Sequence, residues 1–242
     1  MAVHLGPAFP ADLHRHFAAQ VFLALDGSFS LRAGTGDAWR GYTAAVVPSN
    51  VWHQLDAPPV PLAMIYLDPL SPLARGLPGA SAGSRAITAI QSELAAPLGE
   101  ALRWAGDRSS AIREALEGFL ANRSGGEPVA LDARVALALE VLQREPERLP
   151  SLPEIAARAG LSPQRFRHVF RQQTGITFSA YRLWNRVVGA TRLLAKTSDL
   201  TWTAHASGFS DSAHLSRTFH RAFGLKPSDV FKSGRFRLVL CD

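Results

Sequence analysis

Residues 160–175 read GLSPQRFRHVFRQQTG, and residues 208–224 read GFSDSAHLSRTFHRAFG. The first stretch contains its own start and stop signals. Ser162-Pro163 opens a helix, with Ser as N-cap and Pro at the first helical position, where its missing N–H costs nothing. Just upstream, Ser151-x-x-Glu154 is a capping box that starts a shorter helix, and Gly160 permits the tight backbone that ends it. Two short helices joined by a Gly-containing turn form a helix-turn-helix.

The second helix of that unit has two faces. Phe166, Val169 and Phe170 make an apolar stripe, while Gln164, Arg167, His168 and Arg171 recur at i, i+3, i+4 and i+7 on the other side. A packed helix with a wet face usually mixes charge signs. Here the wet face carries only groups able to donate hydrogen bonds. From Ile155 through Ser198 there is no Asp or Glu, against eight Arg and Lys. Such a face suits a polyanion.

The later stretch repeats the layout. Gly208 matches Gly160, Ser210 matches Ser162, and Leu215 and Phe219 match Phe166 and Phe170, with the offset growing from 48 to 49 residues. Its outward stripe is Ala213, Ser216, Arg217 and His220, flanked by Ser212; Asp199 and Asp211 dilute the charge. Between the copies, residues 178–196 spell a third amphipathic segment with Tyr181, Trp184, Val187, Val188 and Leu194 on one side. A helix of that length is about 28 Å long, near the roughly 34 Å between successive major grooves on one face of B-DNA. The repeat predicts one chain carrying both halves of a bipartite double-stranded DNA reader.

The charge distribution agrees. Residues 1–149 sum to −3 and residues 150–242 to +9. The lone cysteine, Cys241, excludes an internal disulfide and any cysteine-based metal cluster. No signal peptide and no apolar run long enough for a membrane span is present, so no membrane association is expected and a cytoplasmic setting is. No Gly-x-Ser-x-Gly elbow, P-loop or dinucleotide fingerprint points to an enzyme, no catalytic residue is assigned, and no cofactor is expected.

Together EIAARAGLS, FRHVFRQQTG, the connecting segment and GFSDSAHLSRTFHRAFGLKPSDVF resemble the AraC/XylS family of transcription regulators over roughly residues 133–232. The Gly-Phe…Phe…Phe-Gly-x-x-Pro spacing, ending at Pro227, is the most diagnostic part. That resemblance implies base-edge contacts by Gln164, Arg167 and His168 in the first unit and by Ser212, Ala213, Ser216 and Arg217 in the second. Arg165, Arg171, Arg186 and Arg221 map to phosphate contacts, which position without specifying; Arg167 and Arg217 suit guanine. The sequence departs from the family at Thr203, at Phe231-Lys232, and at Ala213, which cannot hydrogen-bond a base. RNA polymerase and a second copy of the chain, as a homodimer, are further partners the resemblance implies.

The first half reads differently. Residues 8–70 show short apolar runs with turns, including a hairpin signal at Asp26-Gly27, and turns near Pro48-Ser49-Asn50 and Pro58-Pro59. They are similar to the cupin-like β-barrel that senses a small-molecule effector in this family. His14-x-His16-x-x-x-Gln20 with a later His53 echoes the cupin metal pattern, with Gln20 in place of its Glu and Asn50 in place of a Gly. Three readings stay open for these residues. They hold an organic effector together with Phe22, Trp39 and Trp52; they hold a metal, His14, His16 and His53 being the candidates; or they are structural. The metal reading carries an alternative function, a metalloenzyme or metal sensor with a DNA-binding tail. Residues 68–84 read as a Pro/Gly/Ser linker. Helical spacing follows over 85–106 (Ile87, Ile90, Leu94) and 110–122 (Ile112, Leu116, Phe119, Leu120). The expected architecture is α+β: a cupin-like sensor domain (1–70), a linker with amphipathic helices offered as a dimer contact (71–130), and an all-α domain (131–242) of two helix-turn-helix units joined by a long helix.

Overall fold

A computed structural model describes residues 2–71, 74, 77, 84, 86–105, 108–121, 131–144, 150–231 and 238–240. Most of the expected linker, Lys232 and Cys241 lie outside the described residues. The chain divides into two compact units: Met1–Glu127 with Ser216–Asp242, and Pro128–Leu215.

The first unit is β-rich. Its strands are β1 (Ala2–Pro7), β2 (Ala11–His14), β3 (Ala19–Ala24), β4 (Phe29–Arg32), β5 (Arg40–Tyr42), β6 (Ala44–Val47), β7 (His53–Asp56), β8 (Pro61–Leu67), β9 (Thr88–Ala89) and β10 (Leu238–Leu240). They form a six-stranded sheet, β10-β1-β8-β3-β6-β9, and a four-stranded sheet, β2-β7-β4-β5. Among the described strands no ladder joins the two sheets, so they do not close into a barrel.

Period-two alternation explains the layering. Along β3, β6 and β8, residues Val21, Leu23, Ala44, Val46, Ala63 and Ile65 point to one face and enter a core with two helices, α1 (Ser92–Ala105) and α2 (Ser109–Ala121). The intervening Phe22, Ala45, Val47, Leu62 and Met64 point the other way and pack with Phe29, Leu31 and Leu55 of the four-stranded sheet. Both faces of the large sheet are therefore covered, which is why its strands read as nearly continuous apolar runs.

Two expectations are corrected here. The turn at Asp26-Gly27 exists, with Gly27 at φ 69°, but β3 and β4 are not ladder partners: β3 pairs with β6 and β8, β4 with β5 and β7. The turn carries the chain from one sheet to the other, and Phe22 and Phe29 meet across the interior at 5.7 Å. The helix expected over 85–106 begins only at Ser92, because Thr88–Ala89 adds an edge strand to β6. The residues α1 buries are Ala95, Leu98, Gly99, Leu102 and Ala105, while Leu94 is exposed.

The second unit is helical: α3 (Ala133–Arg144), α4 (Leu152–Arg158), α5 (Pro163–Thr174), α6 (Phe178–Thr197) and α7 (Leu200–Ala206). α8 (Ser212–Phe223) runs through the division at 215/216, and α9 (Pro227–Phe231) follows. The local signals act as read. Ser151 and Glu154 form a reciprocal capping box, Ser162 caps α5 with Pro163 following, and Gly160 (φ 64°) and Gly175 (φ 77°) end α4 and α5 in left-handed conformations. Phe166, Phe170 and Phe178 form an edge-to-face cluster with centroids 5.3 to 5.6 Å apart, joined by Tyr181. α6, 20 residues, is about 30 Å long.

Candidate nucleic-acid interface and histidine cluster

The apolar stripe of α5 decides what its other face can do. With Phe166, Val169 and Phe170 buried, Gln164, Arg165, Arg167, His168 and Arg171 are all exposed. Four of them, Gln164, Arg167, His168 and Arg171, line an open groove of about 510 Å³ with Leu152, Thr177, Phe178 and Ser179. Two arginines, an imidazole and an amide thus project from one rigid element, with no carboxylate on the groove wall. This is the chemistry that pairs with phosphate oxygens and purine edges.

Arg186 is placed differently from the exposed arginines. It is half-buried on α6, its guanidinium 5.7 Å from the Phe209 ring centroid and beside Gly208. Thr203 is fully buried, its hydroxyl 3.5 Å from Thr197 Oγ1. The branched residue thus finds a polar partner on the neighbouring helix end.

On α8, Ala213, Arg217 and Arg221 are exposed and Ser212 and Ser216 are half-buried, while Leu215, Thr218 and Phe219 are buried. The helix is capped by Asp211, not by Ser210: the His214 N–H donates to Asp211 Oδ1 at 2.6 Å. The extra residue in the second turn moves the cap by one position. The acidic charge that dilutes this repeat is therefore spent on free amides at a helix start, where a carboxylate is favoured by the dipole.

In the β-rich unit the structure gathers His14, His16, Gln20, Phe22 and His53. His14 and His53 face each other across the β2–β7 ladder, with a register shift between Ala11 and His14. His16 lies beyond the end of β2, where its carbonyl accepts from the Asn50 N–H at 2.8 Å. Asn50 adopts φ 61°, which Asn tolerates better than most residues; this accounts for Asn where the cupin pattern has Gly. Ring centroids of the three histidines are 4.1 to 5.6 Å apart, and Phe22 stands edge-on to His53 at 6.1 Å.

Gln20 lies at the centre. Its Oε1 is 2.9 Å from His16 Nε2 and 3.1 Å from His53 Nε2, and its side chain is also hydrogen-bonded to the Tyr66 hydroxyl across β3–β8. Burial is the largest influence on all three histidines and holds them neutral. It lowers His14 to about 3, with neighbouring His16 adding to the effect. It also lowers His16 and His53, the latter assisted by His14 and His16. Burial pushes the Tyr66 hydroxyl up.

Trp39 and Trp52 are not brought into this cluster. Both are exposed, Trp39 stacked by Arg32 at 4.5 Å and Trp52 by Arg15 at 4.8 Å. Two neighbours went unread in the sequence. Tyr66 was signalled by the alternation Leu62, Met64, Tyr66 on β8. Phe223, 6.3 Å from His16 and 5.9 Å from Tyr66, arrives from the far end of the chain with no local signal.

Comparison with known proteins bears on the helical part. A family model described as a helix-turn-helix domain matches residues 155–233. The HTH-type transcriptional regulator RipA of Corynebacterium glutamicum is 32% identical over 108 residues, covering 45% of this chain and 32% of that protein. The arabinose operon regulatory protein of Escherichia coli K12 is 34% identical over 84 residues, covering 34% and 28%. The chain thus spans about a third of the length of these curated relatives. Among solved structures, apo ToxT from Vibrio cholerae is similar in fold, with a TM-score of 0.66 at 11% identity over 95% of this chain and 96% of that one. A related structure is of ToxT with an unsaturated fatty acid bound (TM-score 0.59, 12% identity, 95% and 93% covered). The capped, twice-written helical pattern and these matches agree: residues 155–233 are a helix-turn-helix domain, similar to part of the arabinose operon regulatory protein.

Proposed function

We propose that this chain is a sequence-specific, double-stranded-DNA-binding transcription regulator, controlled by a small molecule in its β-rich part. The observation that carries the reading is the exposed face of α5, where Gln164, Arg167, His168 and Arg171 converge on one open groove without a carboxylate. Arg165, Arg171, Arg186 and Arg221 neutralise phosphates and give salt-dependent affinity. Gln164, Arg167 and His168 read base edges in one major-groove segment, and Ser212, Ala213, Ser216 and Arg217 read those in the next. α6 is stiff and long enough to serve as the spacer.

Residues 1–70 form the sensor, a cupin-like arrangement whose two sheets enclose the effector site; residues 71–130 connect, and residues 131–242 read DNA. The effector is recognised by His14, His16, Gln20, Phe22 and His53. Its binding shifts the population between two states of different DNA affinity. Support for a small-molecule effector comes from the fatty acid bound by ToxT, a protein of similar fold. The relatives described above are named as transcription regulators, which supports a non-catalytic role. Among the described residues no helix is long and apolar enough to cross a membrane. A cytoplasmic setting is part of the proposal. A homodimer and contact with RNA polymerase complete the proposal.

The test is competition binding at a fixed salt near physiological. A duplex carrying the regulator's site resists displacement by scrambled duplex, and affinity falls steeply with added salt. Equal displacement by site and scramble contradicts the specific reading and leaves a nonspecific basic module.

A further inference from the structure

The two reading units are fastened to the spacer helix in different ways. At the start of α6, the buried rings of Phe178 and Tyr181 pack on Phe166 and Phe170 of α5 at 5.3 to 5.6 Å. The joint of the second unit includes a charge. Phe209 is buried in the turn that leads into α8, and the Arg186 guanidinium of α6 lies 5.7 Å from its ring centroid. The same ring meets His214, in the first turn of α8, edge-on at 5.2 Å. Arg186, Phe209 and His214 thus form a chain of contacts from the spacer to the start of the reading helix. Backbone bonds tie the turn to α7: the N–H groups of Gly208 and Phe209 donate to the carbonyls of His205 and Ala204 at 3.0 and 2.8 Å.

Three features set Arg186 apart from a solvated cation. It is half-buried, and among the described residues no carboxylate pairs with it, so the ring is what orients it. Gly208, at φ 73°, brings the backbone of the turn against it: a Cβ there would be in ordinary van der Waals contact with Arg186 Nε at 3.8 Å and Cζ at 4.0 Å. Arg182 lies four residues before it on the same face, a like-charge spacing that weakens a helix. Burial first, and then the Arg186 charge, lower the hold of Arg182 on its proton. Helix stability therefore does not account for an arginine at position 186.

We infer that Arg186 is a positioning residue: by packing on Phe209 it fixes where the first turn of α8 stands on the spacer, and so sets the spacing between the two DNA boxes. This rests on the double reader proposed above and adds a role that a phosphate contact does not supply. A phosphate contact needs the charge and acts alike at every spacing. A positioning contact needs the shape over the ring and acts on spacing itself. One base pair inserted between the boxes turns them by about 35° and parts them by about 3.4 Å. A stiff joint penalises that insertion and a loose one does not.

The experiment compares wild type, Arg186→Ala and Arg186→Met as full chains. Met loses the charge but keeps an unbranched stem and a sulfur that packs on aromatic rings. The first readout needs no DNA. It is hydrogen exchange of the Gly208 and Phe209 amides, read against the α5 amides, which a general loss of stability moves equally. Arg186→Ala is expected to speed it about three- to thirtyfold, and Arg186→Met to leave it within about twofold. The second readout is competition between duplexes with the boxes at the spacing selected by wild type or one base pair further apart. Wild type and Arg186→Met favour the selected spacing about tenfold. Arg186→Ala favours it less than about threefold, with base choice inside each box unchanged. Equal exchange in all three chains overturns the inference. So does a spacing preference that survives in Arg186→Ala, or a loss shared equally by both variants. A wild-type chain that selects no pair of boxes overturns the double reader and the spacing role with it; faster exchange in Arg186→Ala alone would then still show the contact, which keeps the two failures distinguishable.

Discussion

Gly224 offers a prediction whose size follows from its surroundings. It ends α8 at φ 68°, and its carbonyl accepts from the Asp12 N–H at 2.9 Å. A Cβ there would overlap the Asp12 carbonyl oxygen and sit 2.7 Å from His14 Nδ1 and 2.9 Å from Asp12 N. Two of these atoms are backbone and cannot swing aside. Gly224→Ala therefore adds about 1–2 kcal/mol for a side chain in the left-handed region. It also releases the Asp12 bond, worth about 0.5–1.5 kcal/mol. The expected loss is about 1.5–3.5 kcal/mol in urea unfolding, read as a lower midpoint at unchanged slope. Gly118→Ala is the control. It lies within α2, nothing is within 4 Å of the added methyl, and it should stabilise by about 0.5–1 kcal/mol. If Gly224→Ala falls within about 0.5 kcal/mol of wild type, the close approach of this helix end to β2 is wrong.

Four further outcomes follow. Arg167→Ala leaves stability within about 0.5 kcal/mol but costs about 1–3 kcal/mol in DNA binding at one base position and relaxes choice there, measured by competition with single-base variants. Arg171→Ala weakens all sequences alike and reduces the salt slope by about one; a change in base preference would show that it reads rather than positions. Ser151→Ala removes one arm of the capping box and lowers stability by about 0.5–2 kcal/mol, with Ser151→Asp retaining most of it in thermal unfolding. Leu116→Ala, at a fully buried position of α2 in the core shared by α1, α2 and the large sheet, costs about 2–5 kcal/mol, and a smaller loss would mean the helices do not seal that core.

What was legible in the sequence was local. Caps, the Ser-Pro start, the left-handed glycines and the stripes of α5 and α8 depend on residues within one or two turns of each other, so spacing alone places them. Even there, one inserted residue moved the second cap from Ser210 to Asp211, because the cap goes to whichever oxygen stands three residues before a free amide. Sheet partners are non-local. The Asp26-Gly27 turn has hairpin chemistry, but β3 and β4 lie in different sheets, with Phe22 and Phe29 facing each other between them. Ile87 and Ile90 fit a helical period and instead flank an edge strand. The histidines were legible as a group from their chemistry. Trp39 and Trp52 were grouped with them for being aromatic, yet each lies exposed under an arginine. Phe223, some two hundred residues away, carried no signal at all.

The central claim is tested most directly by selecting bound duplexes from a random pool with the full chain at a stated salt near physiological. The account predicts two short enriched boxes about one helical turn apart, roughly 10 base pairs centre to centre. A single box, or binding without any enriched motif, would contradict the double reader.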